Sequence, residues 1–460
     1  MIEPLSTTEP ATRVYMLPTR RDVIAGLCST LLECLPGCDR AKPEPVTITY
    51  MDPEWSHDRS QRRFLSEGVL RQFEKETGIK VKHLPAPETS EGQLKLTQEL
   101  LAGKDTPDVL GIDVIWSGLL DDVLLDLRPF FNSELSAADP DLVRSYTVNN
   151  RLVAIPYRPY VGVLLYRTDL LAKYGYHTPP QTWPELERMA FRIQKGERAA
   201  GEKDFWGFVW PGAADECLTC LALEWQASEG GGRIIEANRT ISVNNENAIR
   251  AWQRAARWIG WISPPGITAY EEWDSINHFQ NSGKAAFGRG WTSDYFLTNP
   301  AKSMIDGKMG TTSVPSGKFG VGTLGGFGLG ISKRSKHQRE AIALVKFLLH
   351  KESELEAASA SAELPTGTAL DRLPTVLKAY SRSIPAGQPV GESIVSRPSM
   401  VVGRNYDDVS HAYAQAVHSV LTRKKSARVA AAELEAELEY ITGFVKGRPE
   451  PTETRISALK

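Results

Sequence analysis

The segment 154–190, AIPYRPYVGVLLYRTDLLAKYGYHTPPQTWPELERMA, packs a strand, a helix, a proline turn and a second helix into one short stretch. Residues 160–166 are an apolar run of strand composition, and residues 169–174 form a short helix closed by Gly175. Thr178, Pro179 and Pro180 cannot extend that helix. Thr182 can cap the next one, and Pro184 and Glu185 suit its first turn. A buried strand flanked so closely by helices is an α/β signal.

At 460 residues, 41% hydrophobic and 24% charged, the chain is globular and too long for one ordinary domain, so two lobes are expected. The formal charge is −2, with no basic stripe interleaved with aromatics. This argues against nucleic acid as a partner and favours an uncharged ligand. No repeat of solenoid or propeller period is evident.

The N-terminus reads as an address. Arg20 and Arg21 precede the apolar run 23–32, which is too short to span a bilayer comfortably, and Leu35-Pro-Gly-Cys38 follows. Residues 1–37 therefore read as a signal peptide of twin-arginine and lipoprotein type, with Cys38 as the lipid attachment site and 38–45 as a tether. Glu33 and Pro36 depart from the usual pattern, and an ordinary cleaved signal is the alternative. Either way the protein is expected to be exported, to the periplasm or cell surface.

Next comes a βαβ pattern: a strand at 46–50, a helix at 60–77 ended by Gly78, and an alternating strand at 79–83. A helix at 90–102 leads to a strand over 105–116 that is polar at its carboxyl end. Ligands of open α/β sheets sit outside the carboxyl ends of the strands, where Glu54, Trp55, Asp113 and Trp116 fall. A carboxylate there can accept two hydroxyl hydrogen bonds, each worth about 1.5–3 kcal/mol away from water. Asp113 can equally serve as a helix N-cap.

In the second half, Asp215 and Glu216 lie in the first turn of a helix, where its dipole favours acids. Cys217 and Cys220 form C-x-x-C without a second pair or a Cys/His cluster, so a local disulfide or two buried thiols is expected and no metal site. Trp252, Trp258 and Trp261, on a helix spanning 246–262, read as core or interlobe packing. Trp291 differs: Gly288 and Gly290, just before it, allow close backbone approach and leave its ring face uncovered. The glycines of 320–331 enter an apolar strand and form no strand–G-x-G-x-x-G–helix unit, so no dinucleotide cofactor is expected. An amphipathic helix covers 336–350.

Taken together these segments resemble the extracellular solute-binding proteins of ABC importers, in the group that carries maltose, trehalose and similar oligosaccharides. The resemblance rests on Tyr166 and Asp169 in Y-x-x-D-L, on the PxTWxEL helix, and on the P-D-V-x-x-I-D-V-I-W run that ends at Trp116. It continues through Trp210, Gly212 and Glu216 in W-x-G-x-x-x-E-x-L-T, and Gly325, Gly326 and Phe327 in G-G-F-x-L-G-I. Arg397-Pro398 and the Tyr406 to Ser410 pattern complete it; the turn at 364–367 lacks the family's arginine.

The resemblance implies a type II periplasmic-binding-protein-like fold, each lobe a mainly parallel sheet flanked by helices. The lobes would comprise 46–158 plus 326–372 and 162–322 plus 378–455. Hinge crossings would fall near Tyr160, near Gly325 and at about 372–380. It further implies that Asp113 and Glu216 bind sugar hydroxyls, that Trp291 stacks on a hexose, and that Arg397 reaches the cleft. Several disaccharide-binding relatives place Asp or Asn where Tyr160 stands here, which alters the pocket. The expected partners are a trehalose- or maltose-like disaccharide and the membrane permease of an importer, with a monomer as the working unit.

An enzyme is the competing class, a glycosidase using Glu54, Asp113 or Glu216 as paired carboxylates. No nucleophile elbow, H-E-x-x-H or P-loop occurs, and the acids fall in the pattern of a non-catalytic family. A glycerophosphodiester or polyol phosphate is a third possibility, disfavoured because Asp113 and Glu216 would repel an anion. A subunit feeding a sensor is a fourth.

Overall fold

The computed structural model describes residues 45–51, 59–84, 90–103, 106–138, 140–292, 303–305, 307–317, 320–350 and 394–450. Cys38 and the signal segment, Glu54, Trp55, the 364–367 turn and the crossing expected at 372–380 lie outside them.

The chain opens as a βαβαβ unit. Strand β1 (Thr47–Met51), helix α1 (Arg59–Thr77), β2 (Lys80–Leu84), α2 (Ser90–Ala102) and β3 (Val109–Asp113) follow in order. Gly78, at φ +75, ends α1 by donating its amide to Glu74 O at 2.9 Å. β1 pairs in parallel with both β2 and β3. β2 is the edge strand and correspondingly less buried than β1 and β3.

Two long strands organise the rest. β4 (Ile155–Arg167) is longer than the apolar run predicts; helices α3 (Thr168–Lys173) and α4 (Trp183–Ala199) follow it. The cap of α4 is as the sequence predicts: Thr182 and Glu185 form a reciprocal capping box with proline in the first turn. Next come β5 (Trp206–Val209), α5 (Glu216–Ser228), α6 (Glu246–Trp258), β6 (Ala285–Trp291) and β7 (Met309–Ser313). The second long strand, β8 (Gly322–Ile331), is buried at every position. Helix α7 (Gln338–Leu348), a short β9 (Ile394–Val395), α8 (Tyr406–Leu421) and α9 (Ala427–Thr442) complete the described order.

β8 lies antiparallel between β3 and β4, pairing Phe327 with Asp113 and Gly325 with Tyr160. From Gly162 onward β4 changes partners and pairs antiparallel with β6 and β7, while β5 runs parallel to β6. On the first side β1, β2, β3 and β4 therefore share one direction with β8 opposed. On the other side β5, β6 and β7 share one direction with β4 opposed. These nine strands all belong to one continuous sheet, and in each half of it most strands share a direction, with one crossing strand running against the rest.

The core divides at the same places. One apolar cluster holds Ile48, Phe73, Ile112, Val161, Leu324 and Leu344, and another holds Val163, Trp183, Trp210, Trp252, Val321 and Tyr413. The division passes between Val161 and Val163, between Val321 and Leu324, and between Ile394 and Val395. Of the three tryptophans read as packing, Trp252 and Trp258 are fully buried, whereas Trp261 is 39% exposed beside Phe191. The expectation of a helix to 262 is corrected: α6 stops at Trp258, Gly260 adopts φ +77, and its amide turns to Ser263 O at 2.8 Å.

Candidate functional site

The polar side chains of the second half converge on the place where β4 and β8 change clusters. Asp113, the last residue of β3, is buried and accepts the Ile115 amide at 3.1 Å. Burial pushes its carboxyl up to about 6; Arg397 and the Ile115 amide pull it down, and Glu216 and Glu272 push it further up.

Arg397 is 7% exposed and spans the two clusters. Its Nη1 donates to Glu216 Oε1 at 2.7 Å, and its Nη2 donates to Leu324 O at 3.1 Å and lies 3.9 Å from Asp113 Oδ1. Its Nε is buried without a partner. Glu216, the first residue of α5, also accepts Tyr406 Oη at 2.5 Å and Ser410 Oγ at 2.6 Å. The N-cap of α5 is Asp215, which accepts the amides of Cys217 and Leu218. Burial raises its carboxyl to about 6 against those two bonds. Asp215 thus caps the helix, and Glu216 keeps its place in the first turn while also joining the network.

Trp291 closes β6 and is half-buried. Its Nε1 donates to Glu272, and the Arg289 guanidinium lies 3.8 Å over its ring. The expectation of an uncovered ring face is therefore corrected: a cation, two residues back on the same face of the strand, covers one side. Burial raises the Glu272 carboxyl, opposed by Arg289 and by hydrogen bonds from Trp291 and Cys217. Arg289 is in turn paired with buried Glu224 on α5, Nη2 to Oε1 at 2.8 Å.

The other predicted residues divide between packing and cleft. Trp116 is 1% exposed and belongs to the first apolar cluster. Tyr160 and Phe327 meet edge to face at 6.3 Å across the crossing strands. Gly326, at φ +109, fits where a Cβ would come within 2.1 Å of Arg158 O, and its own carbonyl accepts the Val114 amide and Tyr146 Oη. Cys217 and Cys220 are free thiols, so the local disulfide is not formed here. Burial and the charges of Glu272 and Asp215 raise the Cys217 thiol, and burial raises that of core-packed Cys220 to about 12.

Glu224, Glu272 and Arg289 were not foreseen. The first lies mid-helix, the second opens a five-residue helix, and the third sits between two strand glycines; none has a local pattern that marks it. Among the described residues, no group of three or more His, Cys, Asp or Glu is placed to hold a metal ion, and no helix is long and apolar enough to cross a membrane.

Two α/β lobes joined by strands that pass from one to the other, with acids, an arginine and a tryptophan gathered at the crossing, define the type II periplasmic-binding-protein class. The chain belongs to the bacterial extracellular solute-binding proteins, whose family model matches residues 59–354. A Deinococcus radiodurans protein named "Probable ABC transporter-binding protein" is 40% identical over 375 residues, covering 80% of this chain and 88% of that one. The solved structure "Maltose bound T. maritima MalE3" is 32% identical, with a TM-score of 0.74 over 86% of this chain and all of that one. UgpB from Mycobacterium tuberculosis in complex with glycerophosphocholine shares the fold at 16% identity, with a TM-score of 0.68 over 86% of this chain and 98% of its own. The protein is thus the exported, non-enzymatic solute-binding component of an ABC transporter.

Proposed function

We propose that this protein captures an uncharged disaccharide, of maltose or trehalose kind, in the cleft between lobes comprising 46–158 plus 326–372 and 162–322 plus 378–455. The observation that carries the reading is the convergence of Asp113, Glu216 and Arg397 in one charged chain across the two apolar clusters. A pyranose carries hydroxyls around its rim and an apolar C–H face, so it needs acceptors, donors and an aromatic surface together. Here the acids accept, the guanidinium donates, and half-buried Trp291 is the plate. Tyr160 and Phe327 line the crossing, with Glu54 and Trp55 contributing from the first lobe and Trp116 packed beneath it. Support for a sugar comes from the 32% identical structure named for bound maltose.

A ligand that touches both lobes binds the closed form better than the open one and shifts the population towards it. The closed form is what the importer's membrane permease receives. A lipid anchor at Cys38 and a monomeric working state complete the reading. Calorimetric titration of the purified protein with maltose, trehalose, monosaccharides and glycerophosphocholine tests it. Saturable binding of a disaccharide, weakened about tenfold or more by Trp291→Ala, is expected. Heat from glycerophosphocholine alone, or hydrolysis of any sugar, refutes it.

A further inference from the structure

One ion pair beside the proposed site is set deeper than recognition requires. The side chains of Arg289 and Glu224 are 4% and 1% exposed, with Arg289 Nε also 3.3 Å from Glu224 Oε2. Charges taken this far from water are costly, and a well-packed apolar pair often serves stability as well or better. Its surroundings are specific. Glu224 Oε1 accepts the Thr323 amide of β8 at 3.1 Å. On β4, a Cβ at Gly162 would fall 1.9 Å from that same oxygen and 2.6 Å from Arg289 Nη2. The pair is therefore seated against both crossing strands.

From that seat the guanidinium reaches over Trp291. Glu272 holds the indole N–H, and the backbone of Gly325 lies so near the ring that a Cβ there would come within 2.9 Å of Cζ3. A cation, a carboxylate and a bare strand backbone thus fix one ring from separate parts of the chain.

We propose that Arg289, buttressed by Glu224, and Glu272 are positioning residues that hold the Trp291 indole in its binding orientation before a ligand arrives. This rests on Trp291 being the sugar plate. A side chain ordered in advance spares the ligand the entropy of ordering it, so affinity is gained without a new contact.

Calorimetric titration with maltose tests this in a double-mutant cycle of four forms: wild type, Trp291→Ala, the pair Glu224→Gln with Arg289→Met, and all three substitutions. Changing the pair together removes both of its charges and leaves Glu272 bonded to the indole N–H, and the introduced glutamine keeps an oxygen for the Thr323 amide. In the wild-type background Trp291→Ala should weaken binding by about tenfold or more. In the altered background its effect should shrink by about three- to tenfold, because the ring is no longer held. An equal factor in both backgrounds overturns the positioning role and leaves the plate standing. No effect of Trp291→Ala, or no maltose heat, overturns the plate and this inference with it. Should the paired variant fail to fold, Glu272 serves: Glu272→Ala should lose about three- to tenfold, and Glu272→Gln, which keeps an oxygen for the indole, less. Equal losses refute the proposal.

Discussion

Gly326 allows a measurement in which backbone strain and steric clash can be separated. It stands at φ +109, and Gly201 stands at φ +112, so alanine at either meets nearly the same conformational penalty. At Gly201 a Cβ would meet nothing within 4 Å. There the substitution should cost only the strain of an unfavourable φ, about 1–2 kcal/mol. At Gly326 the Cβ would lie 2.1 Å from Arg158 O, 2.7 Å from Pro159 Cα and 2.8 Å from Tyr160 N, all on the facing crossing strand. Backbone cannot rotate away as a side-chain tip does, so β4 and β8 must part until 2.1 Å becomes at least the 3.4 Å of ordinary contact. That movement pulls on the bonds Gly326 O accepts from Val114 N at 3.0 Å and Tyr146 Oη at 3.3 Å. Two weakened bonds of about 1 kcal/mol each, added to overpacking and φ strain, bring the cost to about 4 kcal/mol or more. Urea unfolding followed by circular dichroism, with matched slopes, gives both numbers. Losses within about 0.5 kcal/mol of each other would show that the crossing yields freely and refute the reasoning.

Three further outcomes follow from burial. The Asp113 carboxyl, at about 6 against an ordinary value of 3.8, binds more protons folded than unfolded between those values, so its contribution to stability falls as pH rises through that window. Arg397 opposes the shift, and Glu216 and Glu272 face it, so Asp113→Asn should raise the urea midpoint at about pH 7 relative to that at about pH 4.5, compared with the wild type; an unchanged relation between the two counts against it. Trp258→Ala should cost about 3–5 kcal/mol by thermal or urea unfolding and Trp261→Ala under about 1 kcal/mol, since only the first is enclosed; similar costs would contradict the packing described. Cys217 and Cys220 should alkylate slowly in the native protein and fully after unfolding without reductant, read by peptide mass mapping; a pair resistant after unfolding would mean a disulfide.

Local pattern made much of this protein legible in its sequence. The strand at 160–166, the capped helix beginning at Trp183, the βαβ opening and the glycine-rich strand at 325–331 each carry their own chemistry: apolar runs, a Thr–Glu capping box, glycine stops. Asp113, Glu216, Arg397 and Trp291 stood out because they fall at strand ends and helix starts or within motifs. What lies around them did not, because a buried contact depends on residues far apart in the chain. Glu224 and Arg289 are separated by 65 positions, and Arg397 and Glu216 by 181, and no local periodicity encodes either pairing. Tertiary structure alone turned Asp215 into the cap and Glu216 into the acceptor of three donors, laid a guanidinium over Trp291, and left Cys217 and Cys220 as thiols with separate surroundings. The sequence determines which segments become strands and helices because those choices are settled within a few residues. The site's charge balance is decided only when the crossing strands bring both lobes' side chains out of water together.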